Sequence, residues 1–186
     1  SFKYYSTKKN YIFHNFNYFF QKHNRWIYKK GKKTVPSEFK RLINIFTDKV
    51  KKQVPNNYKY KYIIVSRSNA VKRKLLNEEM LFNRLKKYGF KMVFFEKESL
   101  KKQIEISKNC LIMVGYHGAG LTNSFFMQKN THLIEIYNKL YSHEHPEFFA
   151  KSVGVKFKKF KCIKNYQDLN GECNVDDIEK YIGSNL

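Results

Sequence analysis

Residues 113–126 read MVGYHGAGLTNSFF. An apolar run breaks into His117-Gly118-Ala119-Gly120 and then resumes with Leu121-Thr122-Asn123. Strands do not usually end, nor helices begin, on two glycines this close unless the backbone must come near something. CLIMVG (110–115) has the continuous apolar character of a buried strand, and GLTNSFFM reads as a short helix. The glycines therefore mark a strand-to-helix junction, where bare amides and a helix N-terminus can meet a phosphate. A plain tight turn over a packed His117 accounts for the tetrapeptide alone equally well. The full G-x-G-x-x-G spacing is missing, since Asn123 stands three beyond Gly120, and no Lys-Ser/Thr of a P-loop follows.

The rhythm on either side of this junction is that of an α/β chain. YKYKYIIVS (58–66) alternates and then turns wholly apolar, as a strand entering a buried sheet does. LLNEEMLFNRLKKYG (75–89) places Leu76, Met80, Leu81 and Leu85 on one helical face and stops at Gly89. FKMVFFE (90–96) is a second strand, and Ser99 looks like the cap of a short helix in which Gln103 stands near the capping-box partner position. CLIMVG is the third strand and THLIEIY (131–137) the fourth. PEFFAKSVG (146–154) reads as helix, VKFKKF (155–160) as an edge strand, and NVDDIEKYIG (174–183) as a terminal helix capped by Asn174. This alternation predicts a Rossmann-like parallel sheet flanked by helices, with right-handed crossovers over residues 58–186. In such sheets ligands sit at the carboxyl ends of strands, where HGAG falls. Residues 1–57 read as an N-terminal extension: aromatic and basic without period to residue 33, then a helix entered at Pro36. In that helix Phe39, Leu42, Ile43, Phe46 and Val50 share a face.

The chain has 186 residues, enough for one domain with an extension, and its 42% apolar content supports a packed core. No run of eighteen apolar residues and no leader-like stretch is present, and there is no Asn-x-Ser/Thr sequon, which slightly favours a cytoplasmic setting. The formal charge of +22 invites an anionic partner, but only five of 37 basic residues are Arg. Arg is the usual bidentate reader of bases and phosphates, so this Lys-dominated charge disfavours nucleic acid. An acidic glycan, a membrane surface or a nucleotide substrate fits as well. Cys110, Cys162 and Cys173 make no zinc pattern. His143-Glu144-His145 has a ligand-like spacing in a loop, without the further ligands that a metal site needs, so no metal is expected.

Two of the five arginines, Arg67 and Arg73, fall within seven residues at the exit of the first core strand, next to Ser66. Arg67 at a strand tip can take a pyrophosphate bidentately. The cluster Lys72-Arg73-Lys74 opens a helix, a poor place for positive charge unless an anion is expected there. Glu135, between apolar neighbours at the end of the fourth strand, is either paired in the core or turned to a ligand such as a ribose hydroxyl.

Taken in order, SRSNAVKRKLLNEEML, EKESLKKQIEISKNCLIMVGYHGAGLTNSFFM and THLIEIY resemble glycosyltransferase family 61. Its pattern is a Ser-Arg, an Arg before Asn-Glu, a Gln in the next helix, then HGAGLTN and Ile-Glu, and the resemblance covers about residues 60–160. It implies the C-terminal, donor-binding lobe of a GT-B glycosyltransferase, with inverting chemistry and a nucleotide-sugar donor, generally UDP-linked. It also implies a glycan or protein acceptor, and a second lobe or subunit beyond what residues 1–57 can form. Carried over by position, Ser66, Arg67 and Arg73 would hold the diphosphate and His117 to Asn123 would floor the pocket. Glu135 would face the nucleoside, and His117 would be the candidate general base. No metal cofactor is implied, because arginine and amides serve the leaving diphosphate. The alternative is a non-catalytic Rossmann-like module that binds nucleotide or an anionic polymer such as nucleic acid.

Overall fold

The computed structural model describes residues 27–29, 32–141 and 143–186; most of the aromatic, basic stretch before residue 33 lies outside them. Two short strands, β1 (Ile27–Lys29) and β2 (Lys32–Thr34), pair antiparallel, and helix α1 (Ser37–Lys51) follows. The main sheet is built from β3 (Tyr62–Val65), β4 (Lys91–Val93), β5 (Ile112–Tyr116), β6 (His132–Tyr137) and β7 (Lys156–Lys161). All four pairings are parallel and the spatial order is β4-β3-β5-β6-β7. Helices α2 (Glu78–Leu85), α3 (Leu100–Lys108) and α4 (His145–Ser152) lie in the connections, and an eight-residue 3-10 turn (Ala119–Phe126) joins β5 to β6. A small hairpin, β8 (Lys164–Asn165) with β9 (Gly171–Glu172), precedes the terminal helix α5 (Val175–Gly183). The expected α/β fold, a parallel sheet flanked by helices, is the one observed.

Period-two alternation along the strands sorts the core into two layers. Ile63, Val65, Met113 and Leu133 face a cluster with Phe39 and Ile43 of α1, Ile106 of α3, Phe148 of α4, and Leu121 and Phe125 of the 3-10 turn. Ile64, Ile112, Val114, Ile134 and Ile136 face the opposite way, against Leu81 and Leu85 of α2 and Ile178 and Ile182 of α5. The segments that leave β3 and β5 thus cover opposite faces of the sheet. Their carboxyl ends part at a topological switch point, where α/β sheets hold ligands. No described helix is long and apolar enough to cross a membrane.

The elements are shorter than the sequence pattern implies. Residues 58–60 form a 3-10 turn before β3, and FKMVFFE yields only a three-residue strand before the 3-10 turn Phe95–Lys97. Helix α2 begins at Glu78, so Leu76 lies outside it and is half exposed, as is Met80. In α1 the buried stripe is Phe39, Ile43, Thr47 and Lys51, while Leu42 is exposed. Two caps form as expected: Ser99 accepts from the Lys102 amide, and Asn174 from those of Asp176 and Asp177. Gln103 does not close a capping box; its amide reaches elsewhere.

Helix α1 shares the core of the sheet. Phe39 is 1% exposed and its ring meets Phe148 at 4.9 Å, and Lys51 Nζ donates to the Met127 carbonyl (2.8 Å) at the end of the 3-10 turn. Phe39→Ala is expected to lower the unfolding free energy by about 3–5 kcal/mol. The exposed Leu42→Ala should stay within about 0.5 kcal/mol of wild type. Urea denaturation followed by far-UV circular dichroism checks both; equal effects would mean that α1 does not belong to the core.

Candidate functional site

The cleft at the switch point has a volume of about 730 Å³ and runs from the tips of β3 and β4 across the 3-10 turn to Phe149 of α4. Of the residues singled out in the sequence, Ser66, Arg67, Ala119, Gly120, Thr122 and Asn123 line it. Arg73, His117, Gly118, Leu121 and Glu135 do not. Leu121 is core, packed against Gly115. The others support the cleft from below and from the side.

Arg67 is the centre of the arrangement. Its Nε donates to the Arg73 carbonyl (3.1 Å), and its guanidinium lies against Gly118. A Cβ on Gly118 would stand 2.3 Å from Arg67 Nη1 and 2.9 Å from Cζ. Gly118 itself is extended, with φ at 174°, a conformation any residue adopts. Glycine is required there by the approach of the arginine and not by the backbone. Gly120 answers a similar demand, since its Cβ would meet Val65 Cγ1 at 2.8 Å. Burial first, and then the neighbouring Arg73, lower the Arg67 pKa from its ordinary value, but a guanidinium stays charged in proteins. The first amides of the 3-10 turn, at Ala119 and Gly120, have no partner within the turn by its geometry. A cation and bare amides therefore meet on one wall.

Ser66 faces inward. Its Oγ donates to Glu78 Oε2 (2.5 Å) and accepts from the Ser68 amide (3.1 Å), while the Arg67 amide donates to Glu78 Oε1 (3.2 Å). Glu78, 6% exposed at the start of α2, thereby clamps the backbone that presents Arg67. Arg73 adopts a left-handed φ of 60°, uncommon for so large a side chain, and lays its guanidinium over the Tyr141 ring at 4.9 Å. Its loop is pinned by the C-terminal hairpin. The Lys74 amide donates to Asn170 Oδ1 (2.7 Å), and the Gly171 amide to the Lys74 carbonyl (3.0 Å). Asn138 in turn donates to the Tyr166 and Asn170 carbonyls (3.1 and 2.7 Å).

Below Gly118, the buried His117 Nδ1 is hydrogen-bonded to Glu135 Oε1, and Lys159 Nζ lies 3.7 Å from Glu135 Oε2. Glu135 is fully buried, so of its two readings in the sequence the structure displays the paired one. The other side of the His117 ring packs edge-on to Tyr141 (5.4 Å) and near His143 (5.8 Å). His143 and His145 continue this string of rings towards Phe149, and among the described residues no three His, Cys, Asp or Glu side chains form a metal-binding group.

The floor of the cleft is stitched by two amides. Gln103 Nε2 donates to the Phe95 and Glu98 carbonyls (2.9 and 3.0 Å), and its Oε1 accepts from Asn123 Nδ2 (3.1 Å). Gln103 therefore ties the loop after β4 to the HGAGLTN turn. Neither Gln103 nor Glu78 stands out as a site residue by periodicity; their membership of the Asn-Glu and Gln positions of the motif set was the available signal.

The family model for Glycosyltransferase 61 matches residues 7–134, which takes in Arg67, Arg73 and the whole of HGAGLTN and starts well before residue 60. Among curated proteins, the chain is similar to the EGF domain-specific O-linked N-acetylglucosamine transferase of Drosophila melanogaster, 36% identical over 69 residues. It is similar also to the protein of the same name from Gallus gallus, 35% identical over 89 residues. The matched segments span 36% and 45% of this chain, and only 13% and 16% of those relatives.

The Glu78 clamp gives the site a pH signature. Burial, ahead of the opposing hydrogen bonds from Ser66 and Arg67, raises the Glu78 pKa above the ordinary carboxylate value. As pH rises past that ordinary value, the unfolded chain releases this proton before the folded one does, so stability falls across the window and levels off above the folded pKa. Glu78→Gln should remove this component, so that the wild-type-minus-mutant difference in urea midpoint declines from acid towards neutral pH. Parallel pH profiles for the two proteins would show that the burial is not felt.

Proposed function

Because the chain belongs to glycosyltransferase family 61, we propose that it forms the donor-binding part of a sugar-transferring enzyme and holds a nucleotide-sugar by its diphosphate. The observation that carries this reading is Arg67 lying on Gly118 beside the amides of Ala119 and Gly120, at the switch point of the sheet. A UDP-linked donor suits a cleft of this size, and the likeness to the O-linked N-acetylglucosamine transferases supports N-acetylglucosamine as the sugar and a protein hydroxyl as acceptor.

In the transfer, the acceptor oxygen attacks the anomeric carbon as the bond to the diphosphate oxygen breaks, with inversion. Negative charge grows on the departing diphosphate, where Arg67 and the turn amides stabilise it without calling on a metal. Arg73 contributes through its carbonyl, which aims Arg67, and through its charge. The acceptor proton goes to a general base, and His117 is the candidate within this chain. With Nδ1–H directed to the Glu135 carboxylate, Nε2 would be the atom to take the proton, and the acceptor would have to reach it beside the cleft, whose lining does not include His117. Glu135 acts in this reading by orienting His117. In this reading the acceptor is brought by a second lobe or subunit; the matched segments span only 13% and 16% of the relatives' length.

Isothermal titration of the chain with UDP and with UDP-N-acetylglucosamine tests the donor site. Wild type should bind both, and Arg67→Ala should lose about 2–3 kcal/mol, the worth of a charged hydrogen bond. Gly118→Ala should lose a similar amount by displacing the guanidinium, while its unfolding midpoint barely changes, because the atom displaced is the end of a flexible side chain. Equal UDP affinity in wild type and Arg67→Ala would overturn the assignment. Binding of a single-stranded oligonucleotide instead, steeply weakened by salt, would make this a polymer-binding module.

A further inference from the structure

We infer that Glu96 is the residue that recognises the ribose of the donor, and so makes the cleft selective for ribonucleotides; this rests on the donor-site reading above. Glu96 stands in the 3-10 turn Phe95–Lys97, immediately beyond the carboxyl end of β4. It lines the cleft together with Arg67, at the tip of the adjacent strand β3. Neighbouring strands lie about 4.8 Å apart, so Glu96 is one strand from the arginine and two from the HGAG turn. A nucleotide whose diphosphate rests on Arg67 and the turn places its ribose one step along that line.

Charge makes the same point. Among the described residues, Arg67 and Glu96 are the only charged ones lining the cleft, in a chain with a formal charge of +22. A carboxylate weakens the binding of a phosphate beside it, so its presence in a diphosphate cleft calls for a neutral hydroxylated neighbour. Vicinal hydroxyls meet that need, since an ionised carboxylate only accepts hydrogen bonds and has two oxygens to offer. The side chain is also held in place. Asn69 Nδ2 donates to Glu96 Oε1 (3.1 Å), and Gln103 grips the carbonyls of Phe95 and Glu98 on either side. Glu135, the carboxylate that the sequence singled out for a ribose, is fully buried against His117, which leaves Glu96 to fill this role at the cleft surface.

The test compares UDP with 2′-deoxy-UDP and 3′-deoxy-UDP on wild type and on Glu96→Ala, by titration calorimetry. Glu96 is exposed, so the variant should unfold at the wild-type midpoint. Wild type should prefer UDP to at least one deoxy analogue by about tenfold to a hundredfold, as loss of a hydrogen bond to a charged group implies. In Glu96→Ala the preference should fall to within about twofold, because UDP affinity drops to that of the analogue. A preference unchanged by the substitution, an equal loss for all three ligands, or tighter binding of all three overturns the ribose role while leaving the donor site intact. Failure of wild type to bind UDP at all removes the donor-site reading, and this inference with it.

Discussion

The close approach of Arg67 to Gly118 is the constraint on which the rest of the site depends. It demands a residue without a side chain at the end of β5 and a carbonyl from Arg73 to steer the guanidinium. It also demands a clamp, Glu78, on the backbone that carries the arginine. Each of these groups is then fixed by something further out. The Arg73 loop leans on the C-terminal hairpin, Glu78 opens α2, and the 3-10 turn after Gly118 is closed from the far side by Lys51 of α1. Elements from both ends of the described chain therefore converge on one charged group at the carboxyl end of β3.

The electrostatics of this centre differ from those of the surface. A charge of +22 spread over lysines attracts anions from a distance and does little to select among them. The cleft itself presents one arginine, a few amides, one carboxylate and several aromatic walls, among them Phe95, Phe125, Phe126 and Phe149. Such a lining, mostly apolar with few fixed polar groups, is how small-molecule sites set orientation and specificity. Lysine supplies the approach and arginine the recognition.

Much of the architecture could be read from the chain because buried parallel strands are continuous apolar runs: YIIV, IMVGY and HLIEIY announce β3, β5 and β6. The position of HGAG at a strand end was legible for the same reason. Helix faces were read less well. Counting apolar residues at helical spacing put Leu42, Leu76 and Met80 inward, but pattern alone does not say where a helix starts or which neighbour covers it. The supporting polar contacts were the hardest to see. Glu78 meets Ser66 across 12 positions and Gln103 meets Asn123 across 20, and spacing rules that govern one helix or one strand say nothing about contacts between elements. Gln103 looked like half of a capping box because it stands near Ser99; its amide instead reaches the carbonyls on the loop before the cap. Glu135 showed its need for a partner, as a carboxylate in an apolar strand, without showing that His117 would be that partner.

The central claim is that the guanidinium over Gly118 and the amides that follow it are a diphosphate site. A crystal structure of the chain grown with UDP tests this most directly. The account predicts a diphosphate oxygen within hydrogen-bond distance of Arg67 and of the Ala119 or Gly120 amide, with the nucleotide lying along the carboxyl ends of β3 and β4. UDP bound elsewhere, or held by surface lysines with Arg67 untouched, would contradict it.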